Sequence, residues 1–193
     1  GDEIFMDMEA AMKRIPPHSA EAEQAVLGAM LMNKEAITVA SEILSGDDFY
    51  QTAYGILFNS MVEMFDAGKP VDLITLQEYL KEKDVPPEIS SMEFARDLLM
   101  GTQTSANIKS YAEIVREKSI MRRLIKVNEE TANACYLQNQ PLEEILEDAQ
   151  KQVFALAETG NSEEYVPIKQ VVLNALDVIE RASKTKGTVT GIP

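Results

Sequence analysis

Apolar residues return every three or four positions through most of this chain, the spacing of amphipathic helices rather than of strands. The first such stretch predicts a helix over 19–32, capped by Ser19, with Ala22, Val26, Ala29 and Met30 on one face. Before it, Ile15-Pro16-Pro17 sets an extended entry, because a residue preceding proline avoids the α region. A helix over 34–44 presents Ile37, Ala40 and Leu44, and Ser45-Gly46-Asp47-Asp48 breaks it. A third, over 49–67, carries Ile56, Leu57, Met61, Met64 and Phe65 at helical spacing until Gly68 stops it. Asp72 caps a fourth with Leu73, Leu76, Tyr79 and Leu80 inward, ended by Val85-Pro86-Pro87, and a fifth over 91–100 offers Phe94, Leu98 and Leu99. Helices this short are unstable alone and must pack on one another. They predict one globular head over 15–104, behind an N-terminal tail of residues 1–14.

The pattern then changes. From 105 to 136 there is neither Gly nor Pro, and apolar residues recur from Ile108 to Ala132. This predicts a single helix about 45 Å long, at ~1.5 Å per residue. Residues 137–140 turn the chain, and Pro141 opens a second long helix to 158, lined by Leu142, Ile145, Leu146, Ala149 and Val153. Two long helices joined by a short turn predict an antiparallel hairpin over 105–158. Such a hairpin cannot bury all of its own apolar stripes, so it predicts a homo-oligomer. The candidate self-association and partner-binding residues are Ile120, Leu124, Ile125, Thr131, Ile145 and Leu146, with Arg122 and Arg123 beside them.

A polar stretch over 159–167 reads as a flexible linker. A lone amphipathic helix over 168–186 follows, with Ile168, Val171, Val172, Ala175 and Ile179 on one stripe and nothing evident in the chain to cover it. Residues 187–193 complete the sequence.

Composition agrees with an all-α fold. Trp is absent, aromatic residues make up 6%, and the helix formers Leu, Ala, Met, Glu and Lys dominate. Charge narrows the function. With 32 acidic against 18 basic residues and a net charge of -14, the chain opposes phosphate contacts and favours a basic partner. Lys118, Arg122 and Lys126 form one basic stripe, read first as a solvated helix face and second as a salt-bridging contact with a partner. One cysteine and one histidine allow neither an internal disulfide nor a zinc site of the usual kinds. Cys135 reads as a small buried hydrophobe. His18 follows two prolines without a nucleophile partner, and no Walker A pattern cradles a phosphate, so no catalytic residue is expected. No secretory leader or membrane-length apolar run is present, and the expectation is a cytoplasmic protein without membrane contact.

The string from Arg14 through Ile15-Pro16-Pro17-His18-Ser19-Ala20-Glu21-Ala22-Glu23-Gln24-Ala25-Val26-Leu27 to Gly28 closely resembles the opening of the DnaB family of bacterial replicative helicases. Asp48-Phe49-Tyr50, Gly68-Lys69-Pro70-Val71-Asp72-Leu73-Ile74-Thr75, Ala106-Asn107-Ile108, Val115-Arg116-Glu117-Lys118-Ser119 with Arg122-Arg123-Leu124-Ile125, Val153-Phe154 and Thr190-Gly191-Ile192-Pro193 follow in the family's order. Tyr54, Ser90, Ser91, Gln103 and Cys135 depart from its common pattern. The resemblance covers residues 14–193. It implies a non-catalytic N-terminal collar domain, in which hairpins pair subunits into dimers and three dimers form a ring. It also implies that a DnaG-type primase docks through its C-terminal domain, with a helicase loader as a further candidate. The helix over 168–186 would dock on a neighbouring subunit's ATPase domain, and 187–193 would lead into such a domain. ATP, Mg and DNA would be handled there, and no cofactor is expected within this chain. The rival readings are a generic helical interaction adaptor and a DNA-contacting module, the latter opposed by the net charge.

Overall fold

The computed structural model of the chain describes residues 2–4, 15–160 and 181. Between residues 20 and 160 it has seven α-helices and one 3-10 turn, and no strand occurs among the described residues. The helices are α1 (Ala20–Met32), α2 (Lys34–Ile43), α3 (Thr52–Asp66), α4 (Leu73–Lys81), α5 (Met92–Met100), α6 (Ile108–Leu137) and α7 (Leu142–Gly160), with the 3-10 turn at Gly46–Asp48. The chain divides into two compact units, Gly1–Lys126 and Val127–Pro193.

Local chemistry sets the ends of the first five helices. Ser19 accepts a hydrogen bond from the Ala22 amide, and Asn33 from that of Glu35, satisfying donors that the first helical turn leaves orphaned. Asp72 serves both Ile74 and Thr75, while the Thr75 hydroxyl accepts the Asp72 amide, closing a reciprocal capping box. Ser91 caps α5 through the Phe94 amide. Gly68, at φ 71, turns the chain out of α3 in a conformation that costs glycine little.

Several boundaries differ from those expected of the sequence; the long helix, expected from 105, starts at Ile108. The third helix starts at Thr52, not at 49, because Phe49 is drawn into the core against Phe58, ring centroids 5.2 Å apart. The fourth stops at Lys81, well before the Pro86-Pro87 pair.

One core serves the first unit. Val26, Leu27 and Met30 of α1, Ile37 and Ala40 of α2, and Leu57, Phe58, Met61 and Met64 of α3 are fully or nearly fully buried. Leu76 and Leu80 of α4 and Leu98 of α5 complete the wall. Ile108, Ala112 and Val115, at spacings of four and three on α6, enter the same core. The start of the long helix is thereby part of the head. The α1–α5 contact depends on a missing side chain: a Cβ on Gly28 would lie 1.6 Å from Thr102 Oγ1 and 2.9 Å from the Leu98 carbonyl oxygen.

In the second unit, the end of α6 and α7 are joined by a short turn in which Gln138 adopts φ 51. The Pro141 carbonyl accepts the first amides of α7, from Glu144 and Ile145. Helix α7 continues through Thr159 and Gly160, which the sequence assigned to a linker. Of the helix expected over 168–186, only Arg181 is described; Ile168, Val171, Val172, Ala175 and Ile179 lie outside the described residues, as do 187–193 and most of the tail over 1–14.

Candidate functional site

A densely connected polar group of the first unit lies where α6 passes the entry to α1 and the turn after α2. Arg122 donates from Nη1 to the Pro17 carbonyl at 2.8 Å and from Nη2 to the Asp48 carbonyl at 2.7 Å. Arg123 reaches the Asp48 carboxylate at 2.8 Å, on the same Oδ1 that accepts the Ser119 hydroxyl at 2.8 Å. The other carboxylate oxygen of Asp48 accepts the Ser45 amide at 2.8 Å. The placement follows from helical spacing, since residues three and four apart share a face, and Ser119, Arg122 and Arg123 present one side of α6.

Glu23 of α1 extends the cluster. It is 1% exposed, and its carboxylate accepts the Gln51 amide at 3.3 Å. Burial pushes its pKa up, against the hydrogen bond from Gln51 and the charge of Arg122. Burial also pulls the Arg122 guanidinium down from its ordinary value, with Glu23 and Asp48 pulling the other way. The His18 ring stacks on Tyr50 at 4.1 Å, and the Arg122 guanidinium carbon lies 5.6 Å from the centroid of that ring. No group of reacting atoms emerges from this arrangement. Its carboxylates are spent on amides, a hydroxyl and the Arg123 guanidinium, and Arg122 is spent on two carbonyls.

The structure thus gives Arg122 and Arg123 intrachain partners on the head, and the basic stripe is a solvated face only in part. The apolar candidates differ among themselves. Leu124 and Ile125 are 40% and 43% exposed, and Leu146 is 60% exposed, whereas Ile145 is buried and Ile120 is half-buried. The Thr131 hydroxyl donates back to the Val127 carbonyl on its own helix. In the second unit Tyr136, Leu137, Leu142 and Phe154 are also well exposed, an unusual concentration for a free surface. Cys135 is exposed, which corrects the expectation of a buried hydrophobe: it sits in the last turn of α6 beside the equally uncovered Tyr136 and Leu137.

Asp48, Ser119 and Glu23 fall within strings of the family resemblance but were not among the candidate site residues of the sequence. The signal for Glu23 was present: it shares the register of Leu27 and Met30, so an acid stands on an otherwise apolar face. Among the described residues no helix is long and apolar enough to cross a membrane, and no group of three His, Cys, Asp or Glu side chains is placed to hold a metal.

Comparison with known proteins gives this arrangement a family. The profile described as the DnaB-like helicase N terminal domain matches residues 15–117. The chain belongs to that family. It is 39% identical over 180 residues to the replicative DNA helicase DnaC of Bacillus subtilis, covering 93% of this chain and 40% of that protein. It is 36% identical over 185 residues to the replicative DNA helicase DnaB of Geobacillus stearothermophilus, covering 96% of this chain and 41% of that protein. The chain thus spans about two fifths of the length of the curated relatives it matches. Among solved structures, the N-terminal domain of the DnaB helicase from Mycobacterium tuberculosis superposes with a TM-score of 0.67 at 30% identity, covering 73% of this chain and 99% of that one. A DnaB-like replicative helicase, described with its interactions with primase, shares the fold with a TM-score of 0.57 at 21% identity, covering 80% of this chain and 34% of that one.

Proposed function

We propose that this chain is the non-catalytic N-terminal domain of a replicative DNA helicase, and that it assembles the helicase and receives primase during DNA replication. The observation that carries this reading is the match to the Mycobacterium tuberculosis N-terminal domain, which accounts for 99% of that chain. ATP, Mg and DNA contacts belong in this reading to a motor domain, in keeping with the net charge of -14 here. Self-association is supported by the exposed Leu124 and Ile125 on α6 and Leu142, Leu146 and Phe154 on α7. A DnaG-type primase is the expected partner through its C-terminal domain, a helicase loader a second one, and the cytoplasm the place of action. Ile168, Val171, Val172, Ala175 and Ile179 would dock on the motor domain of a neighbouring subunit.

The test is a binding experiment. The purified chain, mixed with the C-terminal domain of a primase, should elute as a complex heavier than either component, and should hydrolyse no ATP. Independent elution at tens of micromolar, together with a strictly monomeric mass, would remove the scaffolding role.

A further inference from the structure

The chain enters the head through Ile15, Pro16, Pro17 and His18. Two of these four residues lack an amide hydrogen, so the segment has few backbone donors, and its carbonyls become the main handles. Ile15 is 60% exposed and buries little. Two side-chain contacts hold the segment to the head, Arg122 Nη1 on the Pro17 carbonyl at 2.8 Å and the His18 ring on Tyr50 at 4.1 Å, while His18 Nδ1 lies 2.8 Å from the Pro16 carbonyl within the segment itself. Arg122 also grips the Asp48 carbonyl and lies over the ring of Tyr50, so one guanidinium ties together the entry, the turn before α3 and α6.

We propose that Arg122 and Tyr50 form a clamp on residues 15–18, a device that sets where the preceding chain leaves the head and that opens without unfolding the core. The physical basis is a difference in kind between the two attachments. The core is sealed by apolar burial of Val26, Leu27, Ile37 and Phe58, all within 2% of full burial. The clamp is polar, Arg122 is half-buried, and Tyr50 is 38% exposed. Local opening free energies are lowest where buried apolar contacts are few. Asp48 does not open with it, because Phe49 anchors that turn against Phe58.

His18 is the only histidine in the sequence, so its imidazole signals in an NMR spectrum are unambiguous. In the unmodified chain the Tyr50 ring current should displace the His18 Hε1 and Hδ2 shifts from free-histidine values. Arg122→Met, which removes both donors and keeps most of the stem, should return those shifts toward free values. It should also speed amide exchange of His18 and Ser19 about tenfold, with α1–α3 amides left as protected as before. Tyr50→Leu should loosen the segment in the same way. Unchanged His18 shifts in Arg122→Met, or unchanged exchange in both variants, overturn the clamp; Tyr50→Leu removes the ring current itself, so only its exchange is diagnostic. Equal acceleration throughout the head overturns it as well, since that would mark a general structural role. Arg122→Lys, which keeps the charge but cannot span both carbonyls with one ammonium, serves if Arg122→Met does not fold. Failure of all three variants to keep the core intact likewise refutes an opening separable from unfolding.

Discussion

Ser119 and Asp48 stand 71 positions apart, yet the hydroxyl of one donates to the carboxylate of the other at 2.8 Å, with both residues buried. Arg123 shares that oxygen and Ser45 holds the other, so Asp48 has a donor on each side. Replacing it by alanine strands a buried hydroxyl and a backbone amide. Asp48→Ala should therefore cost about 1–3 kcal/mol, chiefly from the buried Ser119 hydroxyl left unsatisfied, since Ser45 is exposed and water can serve its amide. Asp48→Asn keeps one acceptor and should cost less. Urea unfolding of the two variants checks the order, and equal losses would contradict it.

Gly28→Ala should weaken the seating of α5 on α1. The new methyl carbon would sit 1.6 Å from Thr102 Oγ1, and Thr102 cannot simply swing away, because its hydroxyl is bonded to the Leu98 carbonyl at 2.9 Å. Overpacking of this kind costs about 1–3 kcal/mol. The double variant Gly28→Ala, Thr102→Ser, which removes a methyl but keeps the bonded hydroxyl, should recover little. Thr102→Gly alongside Gly28→Ala should recover more. Thermal unfolding of the set checks both expectations.

The buried carboxyl of Glu23 gives a pH dependence with a definite sign. Its pKa in the folded chain is raised above the ordinary 4.5, chiefly by burial, so the folded state holds this proton more tightly than the unfolded one. Its contribution to stability is greatest at acid pH and falls as pH rises from about 4.5 through the raised value. Glu63 and Asp72, whose pKa values are lowered, act in the opposite direction: they support the fold at neutral pH and lose that effect as pH falls below the ordinary carboxylate range. The comparison that isolates Glu23 is the stability of the unmodified chain minus that of Glu23→Gln. This difference should move in favour of the unmodified chain as pH is lowered from neutrality toward the ordinary 4.5. A difference flat all the way down to 4.5 would contradict the raised pKa.

Self-association should respond to the exposed apolar positions and not to the buried one in the same way. Covering a Leu side chain contributes roughly 1.5–3 kcal/mol, so Leu124→Glu or Leu146→Glu should weaken an oligomer while the circular dichroism of the chain stays unchanged. Ile145→Glu should instead damage the fold, because Ile145 is only 7% exposed in the single chain. Light scattering at low micromolar concentration, paired with thermal melts, distinguishes the two effects.

The all-helical class and most helix ends were fixed by local chemistry, and so were open to inspection in the sequence. Ser19, Asp72, Ser91 and Gly68 act within a few residues of themselves, and the periodic apolar faces of 22–30 and 108–115 must be buried whatever the neighbouring elements are. The resemblance string over 14–28 likewise needed no coordinates to point to the family that the profile over 15–117 then established. What the sequence could not decide was how its charged residues pair. A basic residue on a helix face looks the same whether it meets water, a partner or its own chain, and the choice for Arg122 and Arg123 depends on carbonyls and a carboxylate 74 to 105 positions away. The start of the third helix was lost for a related reason: Phe49 follows the 3-10 turn at Gly46–Asp48 in an extended conformation and packs on Phe58, a contact its own apolar spacing does not reveal. Periodicity carries contacts of three and four residues; pairing across the fold is an outcome of packing, and only the tertiary structure contains it.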